Sequence, residues 1–162
     1  MTTTATRAAV ARTRRSSDTR RSRVAVWFEV PGVPVGKARP RFARVGAGVR
    51  SYTPAKTANY EQVVAMMARA AMRSREPLQG ALQATLTVGL PIPASWSQKK
   101  RNAAAMGEVW PTVKPDSDNV AKGILDACNG IVFKDDSQVV RLVVVKQYAI
   151  EPGVSVRIEA VE

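Results

Sequence analysis

Five of the six aspartates in this 162-residue chain fall within 21 residues: Asp116, Asp118, Asp126, Asp135 and Asp136. They lie in Lys114-Pro115-Asp116-Ser117-Asp118-Asn119-Val120-Ala121-Lys122 and in its sequel, Lys134-Asp135-Asp136-Ser137-Gln138-Val139. The chain as a whole is basic, with a net charge of +12 and a pI of about 10.7. Carboxylates concentrated in a cationic protein suit metal-dependent phosphodiester chemistry: the cations hold a polyanion, and the carboxylates hold an ion that activates water. Asp116 and Asp118 sit two apart at the expected start of a helix, where both side chains can turn toward one point. Asp136 follows that helix and a short apolar segment, and a return of the chain would bring it back toward the same start. Three oxygen donors with few other protein ligands suit Mg²⁺, with Mn²⁺ as the alternative ion. Lys122, one turn beyond Asp118, would neutralise charge building on the phosphate.

Each residue also has a purely structural reading. Asp116 is a good helix N-cap, and Asp118 complements a helix dipole and is spaced to pair with Lys122. Asp135 and Asp136 are ordinary turn residues. A D-x-D pair is weak evidence by itself; five acids gathered in so basic a chain favour the metal.

Composition narrows the chemistry further. There is no histidine, which removes imidazole acid–base catalysis and His-based nuclease motifs. The one cysteine, Cys128, forms no internal disulfide, and its place in a helical pattern is that of a small buried hydrophobe. No run approaches the roughly 18 apolar residues of a membrane span, and the arginine-containing N-terminus lacks an apolar leader core. The expected setting is therefore a cytoplasm, with no membrane partner.

Residues 1–23 carry seven arginines against one acid and read as a disordered basic arm, leaving one domain over 24–162. Alternation over Val24–Val30 and over Leu82–Leu90 predicts two strands. A long strand is expected over 139–150. Glu151-Pro152-Gly153 then reads as a hairpin connection to a last strand over 154–160. Thr53-Pro54 reads as a cap and first residue of a helix reaching about Met72, with Tyr60, Val63, Val64, Met67, Ala70 and Ala71 buried. Ser95-Trp96-Ser97-Gln98 has capping spacing ahead of a short helix. Ala121, Ile124, Leu125 and Cys128 give a third helix its core stripe, while Asp118, Lys122 and Asp126 form a polar stripe beside it. The expected fold class is α+β: a mixed, mainly antiparallel sheet of four or more strands, backed by two long helices and a short one.

Two basic clusters are candidates for DNA contact. Lys37, Arg39, Arg41 and Arg44 ride on a loop and short strand with a turn around Gly46–Gly48. Lys99, Lys100 and Arg101 lie on the short helix. Both suit phosphate backbones, although a solvated face reads the same way. Phe42 is expected in the core, the alternative being a platform for a base or sugar.

The combined pattern is specific. Asp116-Ser117-Asp118-Asn119-Val120-x-Lys122, then Leu125-Asp126-Ala127, Asn129-Gly130 and Asp135-Asp136-Ser137-Gln138-Val139, closely resembles the RusA family of Holliday junction resolvases. A looser match runs through Gly36-Lys37-Ala38-Arg39-Pro40-Arg41 and Tyr52-Thr53-Pro54. The resemblance implies a homodimeric, Mg²⁺-dependent endonuclease that nicks two strands of a four-way junction. It places catalytic, metal-holding aspartates on Asp116, Asp118 and Asp136 and the essential lysine on Lys122. The same residues would serve a nuclease acting on flaps or forks. A basic DNA-binding protein without catalysis remains the competitor from another class.

Overall fold

A computed structural model describes residues 25–39, 41–46 and 48–161. The basic segment 1–23 and the expected first strand residue, Val24, lie outside the described residues.

Period-two alternation builds the main sheet. Its strands are β1 (Ala25–Pro31), β4 (Leu82–Pro91), β5 (Val139–Ala149) and β6 (Gly153–Ala160). A separate hairpin joins β2 (Arg41–Val45) to β3 (Gly48–Tyr52). In β1, β4 and β6 the even-numbered residues point into the core: Val26, Phe28 and Val30; Leu82, Ala84, Leu86 and Val88; Val154, Val156 and Ile158. The strand order is β1-β6-β4-β5, with β1–β6 and β6–β4 antiparallel and β4–β5 parallel. The fold is thus α+β, with a mostly antiparallel mixed sheet.

One connection differs from expectation. Glu151-Pro152-Gly153 does not close a hairpin, because β4 lies between β5 and β6. Two long apolar strands joined by a Pro-Gly link resemble a hairpin locally, but β4 pairs with both of them and lies between them. The link must cross the end of β4 closely. A Cβ on Gly89 would lie 2.9 Å from the Ala149 Cβ and 3.3 Å from the Gly153 carbonyl, so only glycine fits there.

Three helices pack on the core face: α1 (Ala55–Met72), α2 (Gln98–Ala105) and α3 (Ser117–Cys128). α1 buries Tyr60, Val64, Ala68 and Met72, each four residues apart, with Val63, Met67 and Ala71 flanking them. Ala70 and Met66 face solvent. Its N-cap is Pro54, without a side-chain bond, so Thr53 does not cap the helix. α2 is capped by Ser97, whose hydroxyl accepts from the Lys100 N–H at 3.4 Å.

The parallel β4–β5 pair is decisive for the site. Parallel neighbours need a crossover, and here the crossover carries α2 and α3. α3 therefore lies against β5, and the turn that closes the crossover precedes β5 directly.

Candidate active site

α3 forms because its apolar residues recur at helical spacing. Val120, Ala121, Ile124, Leu125 and Cys128 are all buried, which leaves one polar stripe outward. Burial pushes the Cys128 thiol up to about 12, as expected of a packing residue and not a nucleophile. Asp116 occupies the N-cap position in extended conformation, but its side chain makes no capping bond. The carboxylate instead accepts a 3.4 Å bond from the Asn119 side-chain amide. Asp118 lies in the first turn and Lys122 one turn further; all three residues are exposed. The simple capping role of Asp116 is thus not realised, and its oxygens face solvent at the head of the helix.

The second acidic pair divides its labour. Asp135 caps a 3₁₀ turn over Asp136–Gln138, with Asp135 Oδ1 accepting from the Ser137 N–H at 2.9 Å. Hydrogen bonds from Ser137 hold the Asp135 carboxyl below the usual carboxylate range. Gln138 fastens this turn to the fold. Its side-chain oxygen accepts from the Lys134 and Asp135 N–H groups at 2.9 and 3.3 Å. Its amide nitrogen donates to the Leu78 and Gly80 carbonyls, both at 3.1 Å. Asp136 is left exposed on a turn whose backbone is fixed from both sides. The sequence reading of the Asp-Asp-x-Gln pattern did not reveal the work of Gln138. Two of its partners lie nearly 60 residues away, where no local spacing signals them.

The donor set is chemically suited to a hard divalent cation, being all carboxylate oxygen. Among the described residues, however, no three Asp, Glu or Cys side chains gather into a ready-made metal cage. Mg²⁺ does not require one: it keeps several waters and is usually bound by one or two carboxylates together with substrate phosphates.

The basic residues separate into two kinds. Arg39 and Arg44 are exposed around the β2–β3 hairpin; the side chain of Arg41 lies outside those described. Phe42 is 73% exposed on the same hairpin, contrary to the expectation of a core position. Among the described residues β2 and β3 pair only with each other, and no further strand extends that sheet to bury the ring. Lys99, Lys100 and Arg101 are exposed along α2. The Lys100 ammonium sits 3.8 Å from the centre of the Trp96 ring, and Trp96 meets Tyr148 of β5 edge-on at 5.1 Å.

Lys37 belongs to neither exposed group. Its ammonium lies 2.8 Å from Glu61 Oε1 on α1 and 2.8 Å from Asp126 Oδ2 on α3, and its side chain is only 26% exposed. Burial alone would lower its pKa, but the hydrogen bonds and charges of Asp126 and Glu61 outweigh that and raise it. Asp126, on the same stripe as Asp118 and Lys122, is thereby engaged within the protein.

Comparison with known proteins places the chain in a family. The sequence pattern of the family described as endodeoxyribonuclease RusA matches residues 31–159, which hold every acidic and basic residue discussed above. The chain is also 41% identical over 138 residues to the uncharacterized protein YqaN of Bacillus subtilis (strain 168), an alignment covering 84% of this chain and 96% of that protein. With the aspartates set at the head of α3 and on the stapled turn before β5, and with the family match spanning four-fifths of the sequence, this chain belongs to the RusA family of endodeoxyribonucleases.

Proposed function

We propose that this endonuclease resolves four-way DNA junctions by paired nicking, with Mg²⁺ at the site and Mn²⁺ as the alternative ion. The observation that carries the reading is the presentation of Asp136. A capped turn, fastened by four hydrogen bonds of Gln138, leaves one carboxylate exposed on a rigid backbone while its neighbour Asp135 serves structure. The same bonds that fasten the turn to the fold thus hold a solvent-facing acid at a fixed place beside β5.

Asp116, Asp118 and Asp136 would hold the ion. When bound, it lowers the pKa of a water and polarises the scissile phosphate. The protein's own residues supply the rest. Lys122 stands one turn from Asp118 and offsets negative charge developing on the phosphate oxygens. Arg39 ahead of the hairpin and Arg41 and Arg44 on it, with Lys99, Lys100 and Arg101 on α2, hold the DNA backbone. The net charge of +12 draws the polyanion in.

A homodimer fits the two-fold arrangement of strands in a junction. It is supported by β5, which lies at the sheet edge and exposes Val140, Leu142, Val143 and Val145. An apolar edge strand with unpaired backbone groups invites a second chain. The test is a panel of synthetic junctions, forks, flaps and duplexes at matched salt, with mapped nick positions. Symmetric nicks in the junction alone are expected. Equal cutting of flaps or forks would move the substrate assignment, and binding without any nicking in Mg²⁺ would refute catalysis.

A further inference from the structure

Residues 34–39 cross the head of α3 in an extended path, and four observations tie them there. The Lys37 N–H donates to the Asn119 carbonyl at 2.8 Å, inside the first turn of α3. A Cβ on Gly36 would lie 3.2 Å from both the Asn119 Cβ and the Pro115 Cβ, so the strand rests directly on the residues flanking Asp116 and Asp118. A Cβ on Gly123 would meet the Lys37 N at 3.8 Å and the Val35 carbonyl at 4.0 Å, ordinary packing distances that keep the loop alongside the helix one turn further on. Finally, the Lys37 ammonium bridges Glu61 and Asp126, each at 2.8 Å, which joins α1, α3 and the loop through one cation. Two residues later comes Arg39, an exposed cation just ahead of the hairpin.

We propose that Lys37 is a positioning residue: its ammonium, clamped between Glu61 and Asp126, fixes loop 34–39, which leads into the basic hairpin, against the head of α3 and so sets where the phosphate held by Arg39 lies relative to Asp116 and Asp118. The inference rests on the proposed nuclease function and deepens it. Its physical basis is economy of direction. A lysine whose ammonium already meets two carboxylates, each at 2.8 Å, in a partly buried site has at most one proton left for a phosphate. Its backbone, in contrast, holds the chain that presents Arg39. Geometry of this kind matters because a misplacement of about 1 Å costs on the order of 10²-fold in rate.

The test compares wild type, Lys37→Met, Lys37→Arg, Glu61→Gln and Asp126→Asn, each kept well below its own melting temperature. Two quantities are read. One is single-turnover nicking of a four-way junction in Mg²⁺; the other is the salt dependence of junction binding in Ca²⁺. Positioning predicts that Lys37→Met, Glu61→Gln and Asp126→Asn all slow nicking at saturating protein, by roughly 10- to 100-fold. Their binding slopes against log salt should match wild type, and Lys37→Arg should recover most of the rate. A phosphate ligand predicts otherwise. Lys37→Met would then lower the salt slope by about one. Glu61→Gln or Asp126→Asn would free the lysine and tighten binding. Either of those results, or a normal nicking rate in Lys37→Met, overturns the proposal. Wild-type protein that binds but never nicks would sink the nuclease reading instead, and the salt slopes would still decide whether Lys37 touches DNA.

Discussion

The two halves of α3 use charge in opposite ways. At its head, Asp116, Asp118 and Lys122 stand exposed, and the carboxylate of Asp116 does not cap the helix it precedes. Toward its tail, Asp126 on the same stripe is closed off by Lys37, which also holds Glu61. One stripe of identical helical spacing thus carries an exposed acidic site and an internal ion cluster. The difference lies in what meets the side chains: Lys37 of loop 34–39 closes on Asp126, while the loop backbone that crosses the head of α3 leaves the Asp116, Asp118 and Lys122 side chains exposed. Residue type and period do not separate a catalytic acid from a structural one; the neighbouring elements do.

The largest effect that would sharpen this contrast belongs to the head. Asp116→Asn, Asp118→Asn and Asp136→Asn are each expected to abolish nicking while junction binding in Ca²⁺ survives. Cleavage persisting in all three would erase the distinction. Next is Lys122→Met, which removes the exposed cation. A fall of roughly 10²- to 10³-fold in single-turnover rate is expected, with little change in affinity. A loss confined to binding would make Lys122 a phosphate contact instead.

Gln138→Leu tests the stapled turn. It would leave the Leu78 and Gly80 carbonyls and two N–H groups without partners. Most of these groups lie near water, so the loss on urea unfolding should be that of ordinary hydrogen bonds, about 0.5–1.5 kcal/mol. Nicking should fall with it, since Asp136 rides on that turn; unchanged nicking in a folded variant would separate the turn from the site.

At the tail, effects should be seen in stability. Glu61→Gln is expected to cost about 1 kcal/mol, because the cluster is partly hydrated. The pH dependence has a definite sign. The pKa of Lys37 is raised on folding, so the cluster's contribution is complete below the ordinary lysine value of 10.5 and is lost as pH climbs through the raised one. The stability gap between wild type and Lys37→Met should hold from pH 7 to 9 and shrink above 10.5. A gap that widened with alkali would contradict the cluster. The smallest effect concerns Cys128: buried, with its thiol pushed up to about 12, it should resist alkylation at pH 8 until the protein unfolds.

Much of this was legible in the sequence where the signal is local. The alternation of Leu82–Leu90 and the 3–4 spacing of Ala121, Ile124, Leu125 and Cys128 each correspond to an element with the expected face buried. The acid cluster and its family pattern were visible for the same reason, since their residues lie close in the chain. Features that depend on distant partners were not. The place of β4 between β5 and β6, the reach of Gln138 to Leu78 and the capture of Lys37 by Asp126 all need the fold before they can be seen. Phe42 misled because its apolar side chain stands on a two-stranded hairpin outside the main sheet.

The most direct measurement follows a labelled four-way junction incubated with wild-type protein and with Asp136→Asn, in Mg²⁺ and in EDTA. The account predicts paired, symmetric nicks with wild type in Mg²⁺ only, and an intact but bound junction in the other three reactions. Nicking by Asp136→Asn at the wild-type rate, or by wild type in EDTA, would contradict it.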